Sequence, residues 1–279
     1  MDIYYIDGKF VRADEAVISV NDMIVLRGFG VFDFLKTYNR KPFHLDDHIK
    51  RLQKSAELIE LKMPCSHKEI SDIVYQTIEK NDHAEYNIRL VITGGISHDS
   101  MTPEGNSKLM VMVTAAHKIP DEWYTKGVKI VTSPVERCMP GAKSTTYMSA
   151  VLALRKARSK GAVESIYVDS EDHLLEGTTT NLYLIDGNKL ITAPEDNILP
   201  GITRKVLLEI LKDDFEIEVR NVNKSEIGTI QEAFLSASNK EIVPVIQIDN
   251  VILNGGKIGE GVKKVMAIFR KHTDDFANS

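Results

Sequence analysis

Strand-like runs crowd together in this chain while helix-like runs fall between them at irregular intervals, an order that a strictly alternating βαβ winding cannot produce. The chain opens on IYYI-DG-KFV, where Asp7-Gly8 between two β-rich runs predicts a tight hairpin. VFDFLKTY alternates as a strand up to a turn at Asn39-Arg40. YNIRLVIT and KLMVMVTA form two more strands, separated by the Gly-, Ser- and Pro-containing stretch GGISHDSMTPEGNS. Further strands are expected in GVKIVTS, ESIYVDS, NLYLI, KLIT, EIEVRNV, AFLSA and IVPVIQI. The fold class this supports is α+β.

The helices have sharper signals. Leu45, Ile49, Leu52, Ala56 and Ile59 recur at helical spacing over 44–60, and His44, His48, Arg51 and Ser55 form a polar stripe beside them. Ser66 and Glu69 have capping-box spacing at the head of a second helix. Others are expected over 144–160 before Gly161, in TRKVLLEILKDD, briefly over 224–231, and over 258–272. AHKIPDEWYTKG has turn and charge character and reads as a connection. It divides the chain into a smaller N-terminal α/β domain (1–116), a linker (117–127) and a larger C-terminal α/β domain (128–279).

Charge and cysteine usage narrow the function. A net charge of −5 exerts no pull toward nucleic acid or anionic membrane and favours a small-molecule ligand. The N-terminus lacks the basic and then apolar order of a signal peptide, and no apolar run approaches the ~18 residues that span a bilayer. Cys65 and Cys138 lie far apart, with no CxxC or CxxH spacing. The expectation is no disulfide, no structural zinc or other metal, two small buried thiols and a cytoplasmic location.

Two segments can carry chemistry. In CMPGAKSTTYM, Lys143 follows a Pro-Gly turn and precedes a predicted helix. A lysine working as a Schiff-base nucleophile needs partial desolvation and a rigid mount, and a helix N-terminus nearby would depress its pKa. The stretch 172–204 reads DHLLEGTTTNLYLIDGNKLITAPEDNILPGITR. Gly201-Ile202-Thr203 begins a helix, where free N–H groups favour a phosphate. Glu176 precedes three threonines at a strand entry, where neighbouring donors could fix a carboxylate.

Together, E-G-T-x-x-N-L-Y, then L-I-T, then L-P-G-I-T-R reproduces in order and spacing the signature of the class IV pyridoxal-phosphate aminotransferases. GFGVFDFLKTYN with HLDDHIKRL, PGAKSTTYMSAVLALRKARSKG, and FLSASNKEIVPVIQID are similar to other parts of that family, so the resemblance spans nearly the whole chain. It implies a two-domain D-amino-acid-aminotransferase-like fold with pyridoxal 5′-phosphate as cofactor. By resemblance, Lys143 forms the Schiff base and serves as general base and acid, and Glu176 faces the pyridine nitrogen. Arg51, Ile202, Thr203, Ser238 and Asn239 hold the phosphate, and Tyr147 hydrogen-bonds the phenolic oxygen.

For the substrate, Arg89 matches the arginine of the Tyr-x-Arg pattern of branched-chain aminotransferases, with Asn87 in the tyrosine position. Phe32 stands where those enzymes often have Phe; Asp33 replaces the more usual Glu, and Arg27 and Phe29 also depart from the pattern. The arginine–histidine pair of D-amino-acid enzymes is not evident, although His98 lies nearby. The resemblance implies amino transfer from a branched-chain or related aliphatic amino acid to 2-oxoglutarate. Alternatives are a 4-amino-4-deoxychorismate lyase releasing pyruvate and, less favoured, a D-amino-acid aminotransferase. It also implies a homodimer in which GGISHDSMTPEG of one subunit completes the other's pocket.

Overall fold

A computed structural model describes all residues 1–279. It divides into two compact units. One comprises Met1–His117, Ala142–Thr146 and Phe276–Ser279; the other comprises Lys118–Gly141 and Tyr147–Asp275. A continuous division at 117–127 leaves 142–146, the segment carrying Lys143, in the later part, whereas it is counted here with the first unit.

The first unit starts with the hairpin β1 (Ile3–Ile6) and β2 (Lys9–Arg12), turned at Asp7 and Gly8, both with positive φ. A short helix α1 (Met23–Arg27), absent from the sequence expectation, precedes strands β3 (Gly30–Tyr38) and β4 (Lys41–Pro42). Helices α2 (Leu45–Leu58) and α3 (His67–Glu79) and strands β5 (Tyr86–Thr93) and β6 (Lys108–Ala115) complete it. The six strands form one sheet in the order β2-β1-β6-β5-β3-β4. The Asn39-Arg40 turn has φ of 51° and 61°, the left-handed pair that suits the twist of a two-residue hairpin. The Ser66–Glu69 capping box is formed in both directions.

Strand alternation decides which side chains meet the helices. Val31 and Leu35 of β3 join Ile88, Leu90 and Ile92 of β5 and the α2 residues Leu45, Ile49, Leu52 and Ala56 in one buried cluster. Phe32, Phe34, Asn87 and Arg89 therefore point to the opposite face, with Phe34 paired to Arg89. The polar stripe of α2 is not a solvated face, because His48, Arg51 and Ser55 are all buried.

The second unit contains α4 (Asp121–Thr125), β7 (Val128–Pro134), α5 (Met148–Ser159), β8 (Glu164–Val168), β9 (Leu174–Gly177), β10 (Asn181–Asp186) and β11 (Lys189–Thr192). It continues with α6 (Ile202–Ile210), β12 (Glu216–Val219), β13 (Glu232–Ala237), β14 (Glu241–Ile248), β15 (Val251–Ile252) and most of α7 (Glu260–Asn278). Its sheet runs β12-β11-β10-β13-β14-β7-β8-β9, and β9 also pairs with β10 through Glu176 and Asn181, so six strands close into a ring. The segment expected as a linker carries α4, whose Trp123 and the adjoining Tyr124 pack on this unit's core.

The predicted helix over 144–160 begins only at Met148. Upstream, the Phe32 N–H donates to Lys143 O (2.9 Å), the Thr145 N–H donates to Gly30 O (2.9 Å), and Val31 forms a β-bridge with Ser144. These extended pairings satisfy backbone groups that a helix would otherwise take. Cys65 and Cys138 are free, but neither is buried as expected: Cys65 is half-buried and Cys138 is exposed. No helix is long and apolar enough to cross a membrane.

Candidate active site

Lys143, Arg51, Phe32, Asn87 and Arg89 belong to the first unit; Glu176, Tyr147, Ile202, Thr203, Ser238 and Asn239 belong to the second. The main chain of Lys143 is held on both sides: its N–H donates to Ser55 Oγ on α2 (3.1 Å), and its carbonyl accepts from Phe32 on β3. The rigid mount expected of this lysine is thus an edge pairing and a helix hydroxyl, not a helix N-terminus. Its Nζ lies 4.7 Å from the Phe32 ring centroid, a cation–π distance.

One helical turn before Ser55, Arg51 makes a two-pronged contact with a residue of its own chain. Nε donates to Asp33 Oδ2 (2.9 Å) and Nη2 to Asp33 Oδ1 (2.8 Å). An arginine carries five N–H donors, and this contact uses two of them. His48 Nδ1 lies 2.6 Å from Asp33 Oδ1. Burial favours the uncharged form of Asp33, but the charges of Arg51 and His48 and their hydrogen bonds outweigh it and hold the carboxyl far below its ordinary range. Burial pushes the His48 pKa down; Asp33 opposes this, while Arg51 and Lys143 add to it. An ionised carboxylate can only accept, so the proton between Asp33 and His48 is carried on Nδ1.

On the opposite face of β3 and β5, the Arg89 guanidinium lies 5.4 Å from the ring centroids of both Phe32 and Phe34. Asn87 is buried on the same face, two residues along β5. The sequence-expected substrate residues thus share one surface: a cation between two aromatic walls, with Lys143 against the first of them.

In the second unit, Glu176 is the penultimate residue of β9 and is 5% exposed. Its Oε1 accepts from Arg137 Nη1 (2.7 Å) and its Oε2 from the Leu199 N–H (3.1 Å). Asn181, its strand partner, donates Nδ2 to Leu199 O (3.1 Å), so both sides of one peptide residue are clamped by neighbouring strands. Two residues on, Gly201 caps α6, and a Cβ there would collide with Asn181 Oδ1. Glycine is required by this close approach. Ile202 and Thr203 follow as the first residues of α6, whose leading N–H groups have no acceptor within the helix. The Leu199–Thr203 segment mechanically couples the Glu176 carboxylate to a helix N-terminus suited to an anion.

Arg204 anchors this helix from beneath. It is 1% exposed, and its guanidinium donates to Glu195 Oε1 (2.5 Å) and Ala193 O (3.0 Å). Ser238 and Asn239 are half-buried in the turn between β13 and β14. Tyr147 is the N-cap of α5 and lies outside the helix, although the sequence placed it within a helix over 144–160.

The three threonines after Glu176 serve a different carboxylate. Glu164, 1% exposed on β8, accepts from Thr178 N (3.0 Å) and Oγ1 (2.5 Å), Thr179 Oγ1 (3.0 Å), Thr180 Oγ1 (3.3 Å) and Ser165 N (2.9 Å). Lys240 Nζ lies 3.7 Å away and donates to Thr179 Oγ1 (2.6 Å); burial lowers its pKa, with Glu164 opposing. Sequence reasoning missed Glu164, Arg137 and Asn181. Only Asn181 had a signal, as the Asn of E-G-T-x-x-N. Tyr167 on β8 is also buried, and burial, then the Glu164 and Glu176 charges, push its phenol up to about 12. No group of three or more His, Cys, Asp or Glu side chains is arranged to hold a metal ion.

Comparison with known proteins identifies the family. The family profile described as "Amino-transferase class IV" matches residues 30–248. A Methanocaldococcus jannaschii protein named "Putative branched-chain-amino-acid aminotransferase" is 32% identical over 95% of this chain and 94% of its own length. The Staphylococcus aureus (strain N315) D-alanine aminotransferase is 29% identical over 98% and 99%. Among solved structures, the branched-chain aminotransferase from the thermophilic archaeon Thermoproteus uzoniensis, with norvaline, has a TM-score of 0.90 and 27% identity, covering 98% of this chain and 94% of that one. A further branched-chain amino acid aminotransferase, solved with pyridoxamine 5′-phosphate, has a TM-score of 0.90 and 25% identity over the same shares of 98% and 94%.

Proposed function

Because the chain belongs to the class IV aminotransferase family and is an aminotransferase dependent on pyridoxal 5′-phosphate, we propose that it moves the amino group of a branched-chain or related aliphatic amino acid to 2-oxoglutarate. The observation that carries this reading is Arg89 set between the Phe32 and Phe34 rings, on the surface against which Lys143 rests. The aromatic walls suit an aliphatic side chain, and the guanidinium suits the second carboxylate of the acceptor. The names of the M. jannaschii relative and of the T. uzoniensis structure point the same way.

The residues fit the cofactor. When bound, it supplies an electron sink for negative charge at the substrate Cα. Lys143 would hold it through its side-chain amine, which would also hold and move the substrate Cα proton. The two-sided grip on the Lys143 main chain restricts that amine to a narrow arc. Glu176, fixed by Arg137 and the Leu199 N–H, would keep the pyridine nitrogen protonated. In the first unit the phosphate would fall to Arg51; in the second it would fall to the N–H groups of Ile202 and Thr203 and to Ser238 and Asn239, where Tyr147 would donate to the phenolic oxygen. Asn87 borders the substrate. The protein acts as a homodimer; the exposed stripe Met148, Val151 and Leu152 on α5, 76%, 54% and 56% exposed, supports a second copy as its cover.

The test incubates the holoenzyme separately with leucine, isoleucine, valine and D-alanine plus 2-oxoglutarate and measures glutamate. Glutamate from the branched-chain donors is expected. Glutamate from D-alanine alone would replace this reading with the activity for which the S. aureus relative is named. Pyruvate from 4-amino-4-deoxychorismate without any acceptor would replace it with a lyase.

A further inference from the structure

Asp33 is a wholly buried carboxylate in the first unit that the proposed chemistry does not use. It lies on the helix-covered face of β3, and α2 brings two side chains to it: Arg51 through Nε and Nη2, and His48 through Nδ1. Its Oδ1 also accepts from the Phe34 N–H (2.7 Å). Burying a carboxylate and a guanidinium costs several kcal/mol per ion in effective desolvation, and an apolar pair of similar size could fill the space at least as well. The packing of α2 does not need the pair, since Leu45, Ile49, Leu52 and Ala56 already anchor the helix. The same polar stripe ends at Ser55, which holds the Lys143 N–H, and Phe32, next to Asp33, holds the Lys143 carbonyl.

We propose that Asp33 is a positioning residue that sets the plane of the Arg51 guanidinium, with His48 as its buffer against rotation, so that Arg51 meets an anion in one orientation. An unrestrained arginine loses rotamer freedom when it binds, and a side chain ordered in advance has already met that cost. Asp33 partly cancels the charge of Arg51, so its contribution is orientation rather than attraction.

The inference rests on Arg51 binding the cofactor phosphate, and the test separates the two claims. The full chain, freed of cofactor, is titrated with pyridoxal 5′-phosphate and with pyridoxal, which lacks the phosphate, and binding is read from absorbance. Wild type, Asp33→Asn, Arg51→Lys and the double variant are compared. Asp33→Asn is expected to weaken pyridoxal 5′-phosphate binding by at least ~10-fold and pyridoxal binding by less than ~2-fold, the signature of lost preorganisation toward the phosphate. In the Arg51→Lys background the same change is expected to add less than ~3-fold, because contacts acting through one residue are not additive. Equal losses for both ligands, or an Asp33 effect undiminished without Arg51, would overturn the proposal in favour of a purely structural role. If Arg51→Lys alone leaves pyridoxal 5′-phosphate binding intact, the phosphate assignment fails, and the inference with it. Should Asp33→Asn not fold, His48→Gln must show the same selectivity for the phosphorylated ligand, and its absence there refutes the proposal.

Discussion

Replacing Glu164 with Ala probes the most heavily hydrogen-bonded carboxylate of the second unit. The substitution deletes the acceptor of the Ser165 N–H (2.9 Å), the Thr179 N–H (3.3 Å) and three threonine hydroxyls. The Thr178 N–H keeps a second acceptor in Ser165 O (3.1 Å), and hydroxyls can rotate to other acceptors, so two backbone donors bear most of the loss. At about 1–2 kcal/mol for each unsatisfied buried donor, that is roughly 2–4 kcal/mol. Lys240 also loses its counter-charge with its side chain only 17% exposed, which brings the expected loss to about 3–5 kcal/mol. The assay is urea unfolding followed by Trp123 fluorescence. Trp123 is the only tryptophan and packs on the core of the unit that contains Glu164, so the signal reads that unit directly. Glu164→Gln keeps one acceptor and should lose about half as much. A Glu164→Ala loss below ~1 kcal/mol would refute the claim that these donors depend on Glu164.

Three other outcomes follow from the geometry. Gly201→Ala should cost about 1–3 kcal/mol and weaken pyridoxal 5′-phosphate binding, because the new methyl displaces Asn181 from Leu199; unchanged affinity in a spectral titration would contradict the coupling. Arg137→Ala should destabilise by about 2–3 kcal/mol, discounted from a fully buried pair because Arg137 is 21% exposed, with less loss in a Glu176→Gln background. The folded state depresses the pKa of His48, so below pH 6.5 the unfolded chain binds a proton that the folded chain refuses. Stability is therefore full above that value and falls as pH drops, and the depressed pKa of Asp33 removes more below pH 3.8. In melts across that range, His48→Gln should flatten the first decline; an unchanged slope would show that His48 does not titrate as described.

Much of the fold was legible because local signals and tertiary packing agree. The Asp7-Gly8 and Asn39-Arg40 turns, the Ser66 cap and the apolar stripe of α2 each require the conformation their residues prefer. What was not legible depended on partners distant in sequence. The 144–147 segment has helix-compatible residues, yet Gly30 and Phe32, over a hundred positions earlier, draw it into extended pairing. Nothing in the polar stripe of α2 indicates that Asp33, from a different element, lies beneath it. Thr178, Thr179 and Thr180 follow Glu176 directly but point to Glu164, because Glu176 turns instead toward Arg137 and Leu199. Order and spacing of motif residues named the cofactor; they could not reveal which carboxylate each donor serves.

The central claim is that Lys143 carries the cofactor. Treating the holoenzyme with borohydride fixes the cofactor to whichever amine holds it, and peptide mass mapping identifies that residue. One modified peptide bearing the label at Lys143 is expected, and no label in Lys143→Ala. A label on Lys240, whose side chain is 17% exposed, or on no lysine at all, would contradict it.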